Sequence, residues 1–319
     1  MSAVDKQATE FRNLSETEIE RLIATLDSVS EGELGIVLLV ACGEQAVPPL
    51  RSFLLCGAPK SVYVGRQRAV RALGQLGAVS ALIEYLTTEK HISDPMLRYS
   101  EEAVENSAAR ELGRWKTEVV FHILLEIVSL RPLRGAVEAI GTFERKEAVP
   151  ALIWHLEDDV ARPAAEDALR LLRGVAIEEL INAVRSPEPS GTRELPSSLL
   201  RRRSALKVLS AGILSLSEWG QLQFLLYDRD SLLSVRAAGI ALAHGDQFDM
   251  DLPIRILVCQ LGNSDWGVVA EAEQILLENY HRARLAIEAA IKTNLYARDL
   301  DSRKLLARLR AIARRGESA

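Results

Sequence analysis

The sequence predicts an all-α protein, an α-solenoid (superhelix) built of about eight antiparallel helix pairs. Three observations lead there. First, one phrase is written three times: Ala46-Val47-Pro48-Pro49-Leu50, Ala78-Val79-Ser80-Ala81-Leu82 and Ala148-Val149-Pro150-Ala151-Leu152. Second, a pattern recurs seven times in which the third residue after the start is Ala or Gly, at positions 69, 108, 136, 165, 205, 239 and 272. Third, 48% of the 319 residues are apolar but only 5% are aromatic, which supplies Ala, Leu and Val for close helix contacts. Self-similar units of this length cannot bury an apolar face alone and do so by stacking on their neighbours.

Taken in order, Ser15 and Glu18 form a capping-box pattern flanked by Leu14 and Ile19, which predicts a helix from Glu16. Residues 1–12 are expected to fray. Residues 34–42 are the most apolar window, far short of the roughly 20 residues of a membrane span. The N-terminus, with Asp5, Lys6, Glu10 and Arg12, lacks the apolar stretch of a signal peptide. Leu38 stands where later units carry a small residue, as in a terminal cap.

The first helix of a unit reads Arg66, Ala69, Ala72, Leu73, and again Arg162, Ala165, Ala168, Leu169. Arg202 and Arg236 begin two further copies, and weaker ones start at Glu105, Leu133 and Val269. Spacings of three and four place these residues on one helical face, where a small side chain lets a neighbouring helix approach. Second helices follow, with Val79, Leu82, Ile83 and Leu86, or Val149, Leu152, Ile153 and Leu156, as their apolar stripes. Pro48 and Pro150 fall near helix starts, where a missing N–H is harmless because the first amides have no intrahelical acceptor. Gly74, Gly77, Gly113 and Gly141 fall near the ends of first helices.

No composition break divides the chain, so residues 1–319 read as a single array. Residues 1–34 form an acidic cap with eight acidic and three basic side chains. Residues 298–319 form a basic capping helix and tail, with an apolar stripe at Leu305, Leu309 and Ile312 and the arginines turned to water. Two insertions break the rhythm. Residues 87–98 hold Lys90, His91, Asp94 and Pro95; residues 186–200, rich in Pro and Ser, read as a long disordered loop.

An A-L-G end to the first helix and A-V-P-A-L opening the second resemble HEAT-like repeats of the phycobilisome-lyase type, over about residues 35–291. The resemblance implies stacked helix pairs and leaves function open, since that repeat family serves many unrelated roles. Its branches include chromophore lyases, DNA alkylpurine glycosylases and deoxyhypusine hydroxylases, the last with His-Glu pairs that bind iron. None of the five histidines here, His91, His122, His155, His244 and His281, is followed by Glu.

Chemistry has no local signature. No H-E-x-x-H, C-x-x-C, P-loop or nucleophile-elbow string occurs, so no metal, cofactor or catalytic residue is expected. Asp246, Asp249 and Asp251 read as a solvated turn, because the Gly and distal Glu of a calcium loop are missing. Cys42, Cys56 and Cys259 read as buried structural thiols in a reducing cytoplasm.

Two surfaces are candidates for binding. Phe53, Tyr85 and His155 lie six residues after the first valine of their second helices, with Trp154 beside the last, on the expected concave face. Aromatics there would bury much area at small entropy cost. Arg201, Arg203 and Lys207, at the start of a helix, form the candidate patch for an anionic partner. A net charge of −5 with separated basic patches argues against nucleic acid, where many cations must share one face. The expected function is that of a non-catalytic protein-binding scaffold, with an enzyme or lyase accessory subunit second and a DNA binder third.

Overall fold

A computed structural model of the chain describes residues 14–57, 62–244, 250–296 and 299–317. The fold is all-α: eighteen α-helices and one two-residue-per-strand hairpin occur among the described residues. The chain divides into two compact units, Met1–Leu172 and Arg173–Ala319.

The first unit contains α1 (Glu16–Thr25), α2 (Gly32–Ala41), α3 (Val47–Cys56), α4 (Val64–Gln75) and α5 (Val79–Thr87). It continues with α6 (Pro95–Leu112), α7 (Glu118–Leu130), α8 (Arg134–Gly141), α9 (Val149–Trp154) and α10 (Arg162–Leu171). At the capping box, the Glu18 carboxylate accepts from the Ser15 N–H (2.8 Å) and hydroxyl (2.7 Å). All three copies of the repeated phrase start a helix at their valine: α3, α5 and α9. Gly43 and Gly77 precede two of those starts with φ of 69° and 73°, a left-handed conformation that an L side chain adopts only under strain.

First helices pack on first helices in the order α2, α4, α6, α8, α10, while α3 packs on α5 and α7 on α9. Each unit therefore has two layers. Ala69, Ala108, Ala136 and Ala165 are all fully buried, as the small-residue pattern requires. At Gly113 and Gly141 the approach is closer still, for a methyl there would lie 2.6 Å from Ala139 Cβ and 2.5 Å from Ala168 Cβ.

The second unit contains α11 (Arg173–Arg185), strands β1 (Pro189–Ser190) and β2 (Arg193–Glu194), α12 (Pro196–Ser210), α13 (Leu216–Gly220) and α14 (Ser231–Ala243). It ends with α15 (Asp251–Gln260), α16 (Trp266–Glu278), α17 (Tyr280–Asn294) and α18 (Leu300–Glu317). Again α12, α14, α16 and α18 pack in succession, and α15 packs on α17. Ala205 and Ala272 are fully buried, and a methyl on Gly239 would meet Ile275 at 3.0 Å. Leu309 and Ile312 seat α18 on a core that includes Leu276 and Ala283.

Residues 186–200 are not the structureless loop expected. β1 and β2 pair antiparallel around Gly191, whose φ is 63°, and Pro196 opens α12. The Ser198 hydroxyl donates to Glu194 (2.7 Å) and accepts the Glu188 N–H (3.0 Å), so side-chain bonds hold a segment with little apolar content. The thiols also differ from expectation: Cys42 is buried, but Cys56 and Cys259 lie exposed at helix ends. Among the acidic-loop residues, Asp246 and Asp249 lie outside the described residues, as do Arg298 and the segment 1–12.

Candidate functional site

The recurrent arginine at the start of the first helix is a structural group. A helix leaves its last carbonyls without partners, and a guanidinium has five donors to offer them. Arg66 donates to Leu54 O (2.9 Å) and Gly57 O (2.6 Å) at the end of α3, and to Glu101 (3.0 Å) on the next first helix. Arg202 repeats the arrangement with Val184 O (2.7 Å), Glu194 (2.7 Å) and Asp228 (2.6 Å). Arg236 donates to Arg203 O (2.6 Å) and to both oxygens of Glu271 (2.6 and 2.9 Å). Each of these arginines thereby ties its own unit to a neighbour.

That chemistry corrects the candidate anionic-partner patch. Arg201 pairs with Glu188 (2.6 Å) and donates to Ser186 O (3.0 Å), and Arg203 pairs with Asp230. Lys207 is exposed on the same helix and is itself engaged in an interaction within the chain. The charges that looked surplus in the sequence are met by carboxylates brought in by the hairpin and the start of α14. The basic end of α18 behaves alike. Arg308 donates to Leu261 O and lies over the Trp266 ring, and Arg315 pairs with Glu273 (2.6 Å), so these two do not simply face water.

The four aromatic-face residues also separate. Trp154 is 48% exposed, as its place beside the apolar stripe suggests. Phe53 is half-buried. Tyr85 and His155 are fully buried and present nothing to solvent, contrary to their assignment as contact residues. The reason is helical phase. Tyr85 lies three residues after Leu82 and His155 three after Leu152, so both join the buried stripes.

His155 instead builds a support. Its Nε2–H donates to Val128 O (2.7 Å) on α7, and burial pushes its pKa below the ordinary imidazole value. The imidazole lies 4.8 Å, centroid to centroid, from the Trp154 indole. An exposed ring is thus backed by a fixed one.

Tyr85 leads to a feature the aromatic reading missed. Its hydroxyl donates to Glu101 (2.6 Å), and burial beside that carboxylate raises its pKa far above the phenolic range. Lys90 lies 3.9 Å above its ring and donates to Tyr85 O (2.9 Å) and Glu105 (2.6 Å). Arg131 closes on the other Glu105 oxygen (2.7 Å). Lys90, Glu101, Glu105 and Arg131 line a cleft of about 800 Å³, beneath which Tyr85 is buried. The end of α5, the 88–94 segment, α6, and the α7–α8 turn enclose it. Insertion 87–98 makes this cleft by adding chain before α6 and starting that helix early, with Asp94 accepting the N–H groups of Met96 (2.8 Å) and Leu97 (3.3 Å).

Arg98, Glu101, Glu102 and Glu105 recur at helical spacing and line the cleft from α6. Glu105 stands in a repeat-start position where four other copies carry Arg (Arg66, Arg162, Arg202 and Arg236), so a charge reversal was the sequence signal available. Glu102 is half-buried, and its pKa is raised by burial and by the Glu105 charge. Among the described residues, no group of three or more His, Cys, Asp or Glu side chains is gathered to hold a metal ion. No helix among them is long and apolar enough to cross a membrane. No protein-family model matches the chain, and no curated protein matches its sequence.

Proposed function

We propose that this chain is a HEAT-like helical-repeat module that binds a protein partner without catalysing a reaction. The observation that carries the reading is Trp154. An indole left 48% exposed on a second helix, and held against a buried, hydrogen-bonded imidazole, is a rigid apolar anchor. Rigid aromatics bind well because little side-chain freedom is lost when a partner covers them. Succession of first helices on first helices, with a small residue buried at each crossing, supports the repeat assignment. The internal pairing of Arg201, Arg202 and Arg203 speaks against a polyanion as the partner.

Affinity capture from a lysate of the source cells, with and without nuclease, tests this. Hot-spot aromatics cost at least about 2 kcal/mol when truncated, so Trp154→Ala should weaken capture roughly thirtyfold. Helical content should stay unchanged, since the indole contributes little to the core. A captured set that disappears with nuclease, and is indifferent to Trp154→Ala, would refute the reading.

A further inference from the structure

We propose that the outer face of α2 is a contact surface for a second copy of this chain, which seats the outer face of its own α18 there, so that copies associate head to tail. The contact lies away from Trp154 and does not depend on the partner reading above.

The argument begins with α2. The helix Gly32–Ala41 carries one charge, Glu33, and that carboxylate is taken up sideways by Arg68 (3.2 Å) and Arg71 (3.0 Å) of α4. The rest of its circumference is apolar. A helix that is apolar all round belongs inside a protein. Yet only one side of α2 is covered. Ile36 and Leu39 are buried, whereas Leu34 and Val37 are 58% and 61% exposed and Ala41 is exposed with them. Spacings of three and four put positions 34, 37 and 41 on one face. In a stacked array the end helix keeps a polar outer face where that face meets water. α4 lies between two first helices, α2 and α6, while α2 has one only on its α4 side. Its open face is therefore built as a stacking face and not as a cap.

Charge decides what fits it. Glu31 precedes α2, and Glu16 and Glu20 stand on α1, which packs beside it. All three are exposed and have no cationic partner among the described residues. Within each unit, arginine–carboxylate pairs lace one first helix to the next, as Arg71 does to Glu33 and Arg236 to Glu271. A helix that extends the row at α2 must then bring cations, together with small residues for close approach.

α18 supplies both. It is the last of the row α12, α14, α16, α18, and Leu309 and Ile312 bury its inner side. Its opposite side exposes Arg303, Ala307, Arg310 and Ala311. Arg303 and Arg310 have no carboxylate partner among the described residues, and the two alanines stand one turn apart between them and the end of the helix. Unpaired carboxylates around an apolar face on one copy thus meet unpaired guanidiniums around small residues on another. An α2–α2 contact would instead set Glu16, Glu20 and Glu31 against their own copies, and like charges repel.

Sedimentation of the full chain over a range of concentrations reads the association. The mean mass should rise above that of the single chain as concentration increases, and fall back as salt is raised. Val37→Asp on α2, or Arg303→Glu with Arg310→Glu on α18, should each weaken association at least about tenfold. Circular dichroism and urea midpoints should match wild type, since these side chains are exposed; Val37→Ser is the milder second variant on α2. Mixed in equal amounts, the α2 and α18 variants still own one intact face each, so they should form mixed dimers although neither associates alone. Trp154→Ala should leave the mass unchanged. A single-chain mass at every concentration up to about 200 µM overturns the proposal and leaves the α2 face to a different protein or to residues 1–13. Wild-type association in the Arg303→Glu, Arg310→Glu chain, no mixed dimer, or loss of association in Trp154→Ala also overturns it. Loss of Trp154-dependent capture with self-association intact would overturn the scaffold reading alone.

Discussion

Gly141→Ala should destabilise the protein although helix propensity favours it. Alanine exceeds glycine in a helix interior by about 1 kcal/mol, and somewhat less at Gly141, the last residue of α8. The opposing effect comes from the crossing of α8 and α10. A methyl at position 141 would lie 2.5 Å from Ala168 Cβ and 3.0 Å from Ala168 Cα. Carbon atoms prefer about 3.5–4.0 Å. The obstacle is backbone and a side chain with no rotamer to change, so the two helices must part by about 1 Å. Overpacking of this kind costs about 1–3 kcal/mol. After the propensity gain, a net loss of about 1–2 kcal/mol is expected.

Gly174→Ala is the matched control. Gly174 is the second residue of α11, and a methyl there would meet nothing within 4 Å. It should stabilise by up to about 0.5–1 kcal/mol, through propensity and a less disordered unfolded chain. Urea unfolding followed by far-UV circular dichroism, at constant slope, reads both changes as opposite shifts of the midpoint. Equal stabilisation by the two substitutions would mean that α8 and α10 do not cross at Gly141, and the close-stacking argument would fail with it.

Two further consequences concern buried polar groups. Arg66→Met leaves Glu101 buried without its guanidinium and strips the donor from Leu54 O and Gly57 O; removal of one partner of a buried pair costs about 3–5 kcal/mol. Urea unfolding should show that loss, and a change under about 1 kcal/mol would demote the arginine to a surface group. His155 titrates below its ordinary value because burial disfavours the imidazolium. As pH falls through about 6.5 the unfolded chain takes up a proton before the folded one, so this contribution to stability is complete above that pH and lost below it. Urea midpoints between neutral and mildly acidic pH should therefore fall less steeply in His155→Gln than in wild type; identical slopes would refute the assignment.

The helices were legible because their signals are local and repeated. Valines 47, 79 and 149 each open a helix, and alanines at 69, 108, 136 and 165 are all buried, as spacing alone required. The binding residues were less legible, since a residue's exposure depends on the phase of its helix against a neighbour. Six-on spacing from Val79 and Val149 placed Tyr85 correctly inside α5 and His155 one residue past the end of α9, and both wrongly on the surface. The arginines failed as signals for a different reason. Glu188, Asp228, Asp230 and Glu271 lie tens of residues or a hairpin away from the cations they neutralise, and only the folded chain brings them together.

Position 105 shows how a departure from the repeat can be more informative than the repeat itself. At the same place Arg66, Arg202 and Arg236 tie a unit to its neighbours. A glutamate there inverts the requirement, so cations must come to it, and Lys90 and Arg131 do. Lys90 can arrive only because residues 87–98 lengthen the connection between α5 and α6, and the same lengthening leaves space above α6. The inverted charge, the insertion and the cleft are therefore one event in the sequence. Its trace in the fold is a buried glutamate whose charge is met by a lysine from the lengthened connection and an arginine from the next turn, the geometry reversed along with the sign of the charge.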